Sequence, residues 1–335
     1  MPEPLPMSPD NPILVEVVRE DLVECVHRAA VVVTGPDGQV VASLGEVTRP
    51  MYARSSLKPV QALAMLRAGL DLDGKLLALA AASHSGQDYH LAGVREILGG
   101  VGLGVEALQN TPDLPLHAGS RADWVRSGRD AESLTQNCSG KHAAMLRTCV
   151  LAGWDPSSYL AVDHPLQQAV AEAVDEYCGS HRPFTVDGCG APLFATSLAG
   201  LARAFGRVAG AADGPERRVA EAFRRHPEYA SGEGRYDLAL HRAVPGMVAK
   251  AGAEACVGIG LADGRGLAIK VDDGGDRAVL PLAATVLQAM TSGAGGDVAA
   301  LEALRTAPVL GHGRPVGEVR VVGDALAALL AQVAA

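Results

Sequence analysis

Residues 54–59 carry the stretch Arg54-Ser55-Ser56-Leu57-Lys58-Pro59, at the start of an apolar run. This run has helical periodicity from Val60 to Ala68, and no residue that breaks a helix occurs before Gly69. If the helix begins near Ser55, the Ser55 hydroxyl and the Lys58 amine lie three residues apart on one face. A serine hydroxyl becomes a nucleophile when a base removes its proton, and a lysine is such a base when burial or a nearby cation favours its neutral amine. The stretch therefore predicts a helix that carries a Ser–Lys pair.

The Ser-x-x-Lys spacing is typical of serine acyl hydrolases, but it also arises by chance in many chains. Two further polar stretches offer partners for it. Ser83-His84-Ser85-Gly86 ends an apolar helix, either as a simple cap or with Ser83 as a second hydroxyl in the same pocket. Val248-Ala249-Lys250-Ala251-Gly252 begins a strand, either as a lysine that protects a sheet edge or as a counterpart of the Lys-Thr-Gly strand of penicillin-binding proteins and serine β-lactamases.

Composition restricts the possible partners of the chain. Its 335 residues are 48% apolar and 20% charged, which indicates a folded globular protein of one large domain or two interleaved ones. The net charge of -9 argues against nucleic acid or an anionic membrane as the main partner. No stretch approaches the roughly 20 apolar residues of a membrane span. The first ten residues hold four prolines and no basic segment, so we expect no signal peptide and a cytoplasmic location.

Six cysteines occur, and a disulfide framework is not expected in a long chain without an export signal. Two of them, Cys138 and Cys189, lie in polar turns within Asn137-Cys138-Ser139-Gly140-Lys141-His142 and Asp187-Gly188-Cys189-Gly190. Two thiols, an imidazole and a carboxylate would suit zinc, although the spacing matches no common zinc-finger pattern and a lysine ligand would have to be neutral. The rival interpretation is a cysteine nucleophile, because Cys138 at a helix N-terminus beside Lys141 and His142 would have a lowered pKa.

Strand patterns occur at the two ends of the chain and helical patterns between them. Alternating or β-branched runs predict strands at Ile13–Arg19, Ala29–Thr34, Gln39–Leu44, Val248–Gly252, Ala255–Leu261, Leu267–Val271 and Glu318–Val322. A helix is expected from Leu193 to Phe205, and another from Asp324 to Val333. The chain is therefore predicted to be α+β, a single catalytic unit over 1–335 whose antiparallel sheet comes from about 11–50 and 245–335, with a mainly helical lobe at about 51–244.

Six motifs occur in a fixed order, and their combination is far more specific than any one of them: Arg54-Ser55-Ser56-Leu57-Lys58-Pro59, Ala82-Ser83-His84-Ser85-Gly86, Asn137-Cys138-Ser139-Gly140-Lys141-His142, Asp163-His164-Pro165, Asp187-Gly188-Cys189 and Gly232-Glu233-Gly234-Arg235-Tyr236. Over roughly residues 13 to 325, the chain resembles the bacterial L-asparaginase family of the Ser-Lys, zinc-associated kind. The resemblance implies a fold related to serine β-lactamases and glutaminases. It also implies two Ser–Lys tandems, Ser55 with Lys58 and Ser83 with Lys250.

The same resemblance implies a zinc ion near the pocket, held by Cys138, Lys141 and Cys189 with water completing a tetrahedral shell. Asp187 would orient a ligand or the bound water. The metal is expected as a cofactor, and whether turnover requires it stays open. The resemblance accounts for a lysine as a zinc ligand, which the spacing alone leaves undecided.

The function implied is hydrolysis of L-asparagine to L-aspartate and ammonia. Ser55 is the favoured nucleophile and Ser83 the second choice, with Lys58 as the base and Ser83 and Lys250 as a proton relay. Arg54 either binds the substrate α-carboxylate or is exposed to solvent. The other substrate-binding candidates are His142 and Asp187.

Two alternatives stay open. One is a related serine hydrolase that acts on glutamine or another amide, such as a β-lactam. The other is a zinc- or amino-acid-binding protein without turnover. A small-molecule substrate, no nucleic acid, no membrane and a homodimer complete the expectations.

Overall fold

An eight-stranded antiparallel sheet lies at the centre of the protein. The computed structural model describes residues 11–179, 184–292 and 298–334. The strands of this sheet are β1 (Ile13–Arg19), β2 (Leu22–Thr34), β3 (Val40–Leu44), β6 (Val248–Gly252), β7 (Cys256–Gly260), β8 (Gly266–Val271), β9 (Ala307–Gly311) and β10 (Arg314–Val321). Their order is β6-β7-β8-β2-β1-β10-β9, and β3 pairs with β2 beside this path. A separate two-stranded sheet is formed by β4 (Phe184–Val186) and β5 (Pro192–Phe194).

Both faces of the main sheet are covered by helices. Successive side chains of a strand point to opposite faces, so the apolar end of β2 contributes to two cores. Ala30 and Val32 join the larger core, and Val31 and Val33 join the other. A continuous apolar run is what a sheet buried on both sides requires.

The larger core packs against helices from the middle of the chain: α1 (Lys58–Arg67), α2 (Gly74–Ala80), α3 (Asp88–Gly99), α4 (Ala118–Arg126), α5 (Ser139–Ala152), α6 (Pro165–Cys178), α7 (Leu198–Gly210), α8 (Gly214–Arg225) and α9 (Pro227–Ala230). The other face packs against α10 (Tyr236–Ala243), α11 (Val279–Thr291), α12 (Val298–Leu304) and α13 (Asp324–Val333). None of the helices in the described residues is both long and apolar enough to cross a membrane.

The α+β class and the antiparallel sheet built from both chain ends are confirmed. Several elements differ from the expectation. β2 begins at Leu22 rather than Ala29, β10 begins at Arg314 rather than Glu318, and β9 was not predicted. The helix expected from Leu193 is wrong at its start, because Leu193 pairs with Thr185 in the small sheet and α7 begins only at Leu198. Ser197 marks that start, since its Oγ accepts the N–H of Gly200 at 3.0 Å.

Candidate active site

The stretch at residues 54–59 forms a tight turn that leads into α1. Arg54–Leu57 is a 3₁₀ helix, and α1 begins at Lys58, with Pro59 in its first turn. Arg54 has a left-handed backbone with φ of 52°, which is uncommon for a residue other than glycine. The helix therefore begins three residues later than the sequence pattern predicts, and Ser55 lies in the turn before it.

Strand β6 is bound directly to this turn. The Ser56 hydroxyl donates to the carbonyl oxygens of Lys250 (3.0 Å) and Cys256 (3.2 Å). A Cβ atom on Gly252 would lie 2.5 Å from the carbonyl oxygen of Ala53, so only glycine allows this close approach. The contacts bring Ser55 and Lys250 into one region from opposite ends of the sequence.

Lys58 lies at the centre of the site and is buried. Its Nζ donates to the carbonyl oxygen of Ala82 (2.5 Å), to Ser83 Oγ (3.1 Å) and to Cys138 Sγ (3.2 Å). Burial lowers the pKa of the Lys58 amine, and the charge of Lys141 lowers it further, while the Cys138 thiolate opposes both. Lys58 therefore links a serine hydroxyl to the thiol cluster.

The two candidate serines differ in their surroundings. Ser83 is only 2% exposed and is bonded to Lys58. Ser55 is partly exposed, and its hydroxyl makes no hydrogen bond within the described residues. The hydrogen-bonded pair is thus Lys58 with Ser83, whereas the resemblance implies Lys58 with Ser55. The Lys58 side chain extends to the end of α2, because the carbonyl groups at a helix end lack helical partners and attract an amine.

Lys250 is a second buried lysine of the candidate site. Its Nζ donates to the carbonyl oxygen of Ala251 at 2.6 Å and lies 3.9 Å from Asp237 Oδ2. Burial lowers the pKa of Lys250 to about 7, although Asp237 raises it. In the described part of the chain, Lys250 has no hydrogen bond to Ser83. The second expected Ser–Lys pair is therefore not joined by a direct hydrogen bond.

The acid beside Lys250 is Asp237, which the sequence pattern does not single out because it follows directly after the Gly232–Tyr236 motif. Asp237 accepts hydrogen bonds from the Ser231 hydroxyl and from the N–H of Ala251, the latter at 3.2 Å. Burial opposes its ionisation, but the charges of Lys250 and Arg235 outweigh burial and hold the pKa of Asp237 below its usual value. Asp237 is thus a buried carboxylate that balances two cations.

The two turn cysteines, Cys138 and Cys189, meet in a small buried cluster. A hydrogen bond between their sulfur atoms lowers the pKa of Cys138 well below its ordinary value and raises that of Cys189; the amines of Lys58 and Lys141 favour the Cys138 thiolate further. Lys141 Nζ donates to Cys189 Sγ at 3.2 Å. The cluster therefore brings two sulfur atoms and the Lys141 amine together, in surroundings that favour ionisation of Cys138 over Cys189.

This cluster has the donor chemistry of the expected zinc set. Two sulfur atoms and the Lys141 amine converge, as tetrahedral zinc coordination requires. Burial disfavours the charged amine, but the two thiol groups outweigh it and raise the pKa of Lys141, so a metal ion would have to replace that proton. Among the described residues, no group of three or more His, Cys, Asp or Glu side chains could hold a metal, so a zinc ion here needs Lys141.

His142 lies behind this cluster and is fully buried. Its Nδ1 is 2.7 Å from the Tyr159 hydroxyl, and its buried Nε2 has no hydrogen-bond partner among the described residues. Burial lowers the pKa of His142 far below its ordinary value, and the nearby lysines Lys141 and Lys58 add to this, so the ring is neutral.

Arg54 and Asp187 form the rim of the site. Arg54 Nε donates to Asp187 Oδ1 at 2.7 Å, and a second guanidinium nitrogen lies 3.7 Å from Glu254 Oε1. Burial raises the pKa of Asp187, but the bond from Arg54 and the charge of Lys141 outweigh burial and lower it. A pocket of about 430 Å³ opens beside these groups, lined in part by Tyr52 and Lys270. Arg54 is therefore not simply exposed to solvent, because its guanidinium group already pairs with the carboxylates of Asp187 and Glu254.

Comparisons with known proteins identify the family. The model of the L-asparaginase II family matches residues 15–321, and this confirms the resemblance drawn from the motifs. No curated protein matches the chain. Of the solved structures, Mglu in its native form is 14% identical with a TM-score of 0.41, over 89% of this chain and 68% of that one.

Mglu in its native form in 4.3 M NaCl is 14% identical with a TM-score of 0.40, over 89% of this chain; the match spans 65% of that structure's length. A probable glutaminase from Bacillus subtilis, complexed with 6-diazo-5-oxo-L-norleucine, is 13% identical with a TM-score of 0.28, over 73% of this chain and 76% of that one. Because the family model covers most of the chain, the protein belongs to the L-asparaginase II family, a family of amidohydrolases.

Proposed function

We propose that the protein hydrolyses the side-chain amide of L-asparagine to L-aspartate and ammonia through a serine acyl-enzyme. Family membership supports the reaction class. The observation that carries the Ser–Lys assignment is the buried hydrogen bond between Lys58 Nζ and Ser83 Oγ, with Ser55 three residues before Lys58. Buried lysines beside serine hydroxyls are what a serine nucleophile needs for activation at neutral pH.

Lys58 is the proposed base. Its lowered pKa favours the neutral amine, which carries two N–H groups and one lone pair, so this form gives up one of the three hydrogen bonds that Lys58 Nζ donates in the structure. The lone pair takes the proton of Ser55 as Ser55 Oγ attacks the amide carbon. Ser55 is favoured because it is partly exposed and its oxygen is free of hydrogen bonds within the described residues, so a substrate can reach it. Ser83 is the second candidate.

The second half of the cycle requires proton transfer to the leaving group. The tetrahedral oxyanion collapses, the C–N bond breaks, and the proton held by Lys58 passes through the Ser83 hydroxyl to the departing ammonia. Water then adds to the ester carbon and gives one proton to the neutral Lys58 amine. The bond between this carbon and Ser55 Oγ breaks, Lys58 returns the proton to Ser55 Oγ, and L-aspartate leaves. Lys250, with a pKa of about 7, supports this relay as a nearby proton acceptor.

Cys138, Lys141 and Cys189 are the proposed zinc ligands. When bound, zinc would neutralise the thiolates and provide a Lewis acid beside the pocket. Arg54, Asp187 and His142 are the remaining candidates for substrate binding or for shaping the pocket. The homodimer, the cytoplasmic location and the single catalytic unit also stay predictions.

Ammonia release from L-asparagine tests this function. Ser55→Ala is expected to lower kcat/KM by at least about 10⁴-fold, because it removes the nucleophile, and Ser83→Ala by about 10²-fold or more through the relay. Ser292→Ala, an exposed serine at the end of α11, is the matched control and should keep wild-type activity.

Full activity in Ser55→Ala with its loss in Ser83→Ala would move the nucleophile to Ser83. Full activity in both variants would move the chemistry to Cys138. Rates on L-glutamine and on a chromogenic β-lactam, measured in parallel, separate the related amide hydrolases. Stoichiometric amino-acid binding without ammonia release would favour the binding protein.

A further inference from the structure

The loop before α10 lies against the loop that carries Ser83. The N–H of Ser85 donates to the carbonyl oxygen of Ser231 at 3.0 Å, and the N–H of Glu233 donates to Gln87 Oε1 at 3.0 Å. Gly232 has φ of 137°, and a Cβ atom there would overlap with the Ser85 hydroxyl. These contacts fix residues 231–235 at the edge of the candidate active site.

Arg235 is the last residue of this loop. Its Nε is buried without a hydrogen-bond partner, and no hydrogen bond from its side chain occurs within the described residues. The nearest acid is Asp237, whose Oδ1 lies 3.9 Å from Nε, too far for a hydrogen bond. Buried polar groups without partners are rare in proteins, so the buried Nε–H is a donor in need of an acceptor, on a side chain that is 26% exposed and thus within reach of a ligand.

Asp237 does not supply that acceptor at this distance. Its Oδ1 accepts the Ser231 hydroxyl and its Oδ2 accepts the N–H of Ala251. Asp237 instead links Arg235 to Lys250, since both cations lie 3.9 Å from it. The carboxylate of Asp237 thus lies between the Arg235 guanidinium and the Lys250 amine.

Arg54 offers a direct contrast. It is bonded to Asp187 at 2.7 Å and paired with Glu254 at 3.7 Å, so a substrate carboxylate would have to compete with two acids for it. Arg235 has the same fork of donors, and within the described residues no acid is hydrogen-bonded to it, since Asp237 lies 3.9 Å away. A guanidinium binds a carboxylate best when two of its N–H groups are available together.

We propose that Arg235 binds the α-carboxylate of the amino-acid substrate. In L-asparagine, only three bonds separate the carboxylate carbon from the amide carbon, which suits a cation that lies beside Asp237 together with the Lys250 amine. The inference rests on the proposed function. It defines the substrate class more closely, as amides in which one CH₂ group separates the amide carbon from a carbon that bears a free carboxylate. No side chain caps the N-terminus of α10 at Arg235, and an anion there is also favoured by the helix dipole.

The competing explanation is that Arg235 only balances the charges of Asp237 and Asp276. Asp276 lies on the neighbouring 3₁₀ turn, where burial raises its pKa while Arg235 lowers it. A counter-charge of this kind would affect every substrate alike. A carboxylate-binding residue would affect only substrates that carry the carboxylate.

Three amides separate these explanations: L-asparagine, succinamate, which lacks the α-amino group, and 3-aminopropanamide, which lacks the α-carboxylate. Arg235→Gln is expected to lower kcat/KM for L-asparagine and succinamate by about 10²- to 10³-fold and to change that for 3-aminopropanamide by less than about 3-fold. Arg235→Lys keeps the charge without the fork and should lose about 10-fold on the first two. Arg242→Gln is the matched control, because Arg242 lies on the same helix, is exposed and is paired with Glu233.

Equal losses on all three amides would overturn the proposal in favour of the counter-charge. A selective loss in Arg54→Gln, with none in Arg235→Gln, would assign the carboxylate to Arg54. Calorimetric titration with L-aspartate adds a readout that does not depend on turnover, and Arg235→Gln should weaken this binding by a similar factor. If the wild type released no ammonia from L-asparagine, the proposed function would fail, while the L-aspartate titration would still test Arg235.

Discussion

Lys250 shows how single residues in this site are tuned. Burial alone would lower the pKa of its amine further than the value of about 7, and Asp237 counteracts this. The neutral amine, which can accept a proton, therefore becomes the main form as the pH rises through about 7. We expect kcat/KM for L-asparagine to rise through the same range.

Asp237→Asn removes the carboxylate that favours the charged amine of Lys250. The acidic limb of the kcat/KM profile should therefore move to lower pH in this variant. Asp263→Asn, a partly exposed and remote acid paired with Arg265, should leave the limb in place. A limb that stays at the wild-type pH in Asp237→Asn would show that another group controls it.

For single residues, the sequence identified most of the polar and charged side chains of the candidate site but not their hydrogen-bond partners. The motifs include Ser55, Lys58, Ser83 and Lys250, and the structure brings them into one region. That Lys58 bonds to Ser83 depends on where α2 ends relative to α1, which no local pattern records.

At the scale of elements, the site depends on how closely β6 approaches the turn before α1. Gly252→Ala would place a methyl group 2.5 Å from the carbonyl oxygen of Ala53 and 2.7 Å from Ser56 Oγ. Because the obstacles include backbone, we expect a loss of about 1–3 kcal/mol in the free energy of unfolding, together with reduced activity. Gly99→Ala, where nothing lies within 4 Å of the added atom, should change this free energy by less than about 1 kcal/mol. Urea denaturation measures both, and equal stability of the two variants would contradict the close approach.

Element boundaries also show which sequence signals were decisive. β1, β8 and α13 have strong periodic patterns, and each was predicted within a few residues. The apolar stretch around Leu193 suits a strand or a helix equally well. Its pairing with β4, a contact outside the local pattern, decides for the strand.

At the scale of the molecule, the sheet joins the two ends of the chain around the helical lobe. β1 pairs with β10, and β2 pairs with β8. Both tryptophans, Trp124 and Trp154, lie in the lobe and not in the sheet. If sheet and lobe are one cooperative unit, urea unfolding followed by tryptophan fluorescence and by far-ultraviolet circular dichroism should give a single, coincident transition. Two separate midpoints would indicate a lobe that unfolds independently.

The burial of the site has a consequence for chemical labelling. The chain contains only five lysines, and Lys58, Lys141 and Lys250 are buried around the serines. Most of the positive charge at the surface therefore comes from arginine. A reagent that acylates primary amines meets, in the folded state, only two lysine side chains that are not buried, Lys75 and Lys270. Modification at any of the other three would record a moment when the pocket had opened, so the buried lysines of the candidate site would also report the motion that admits a substrate.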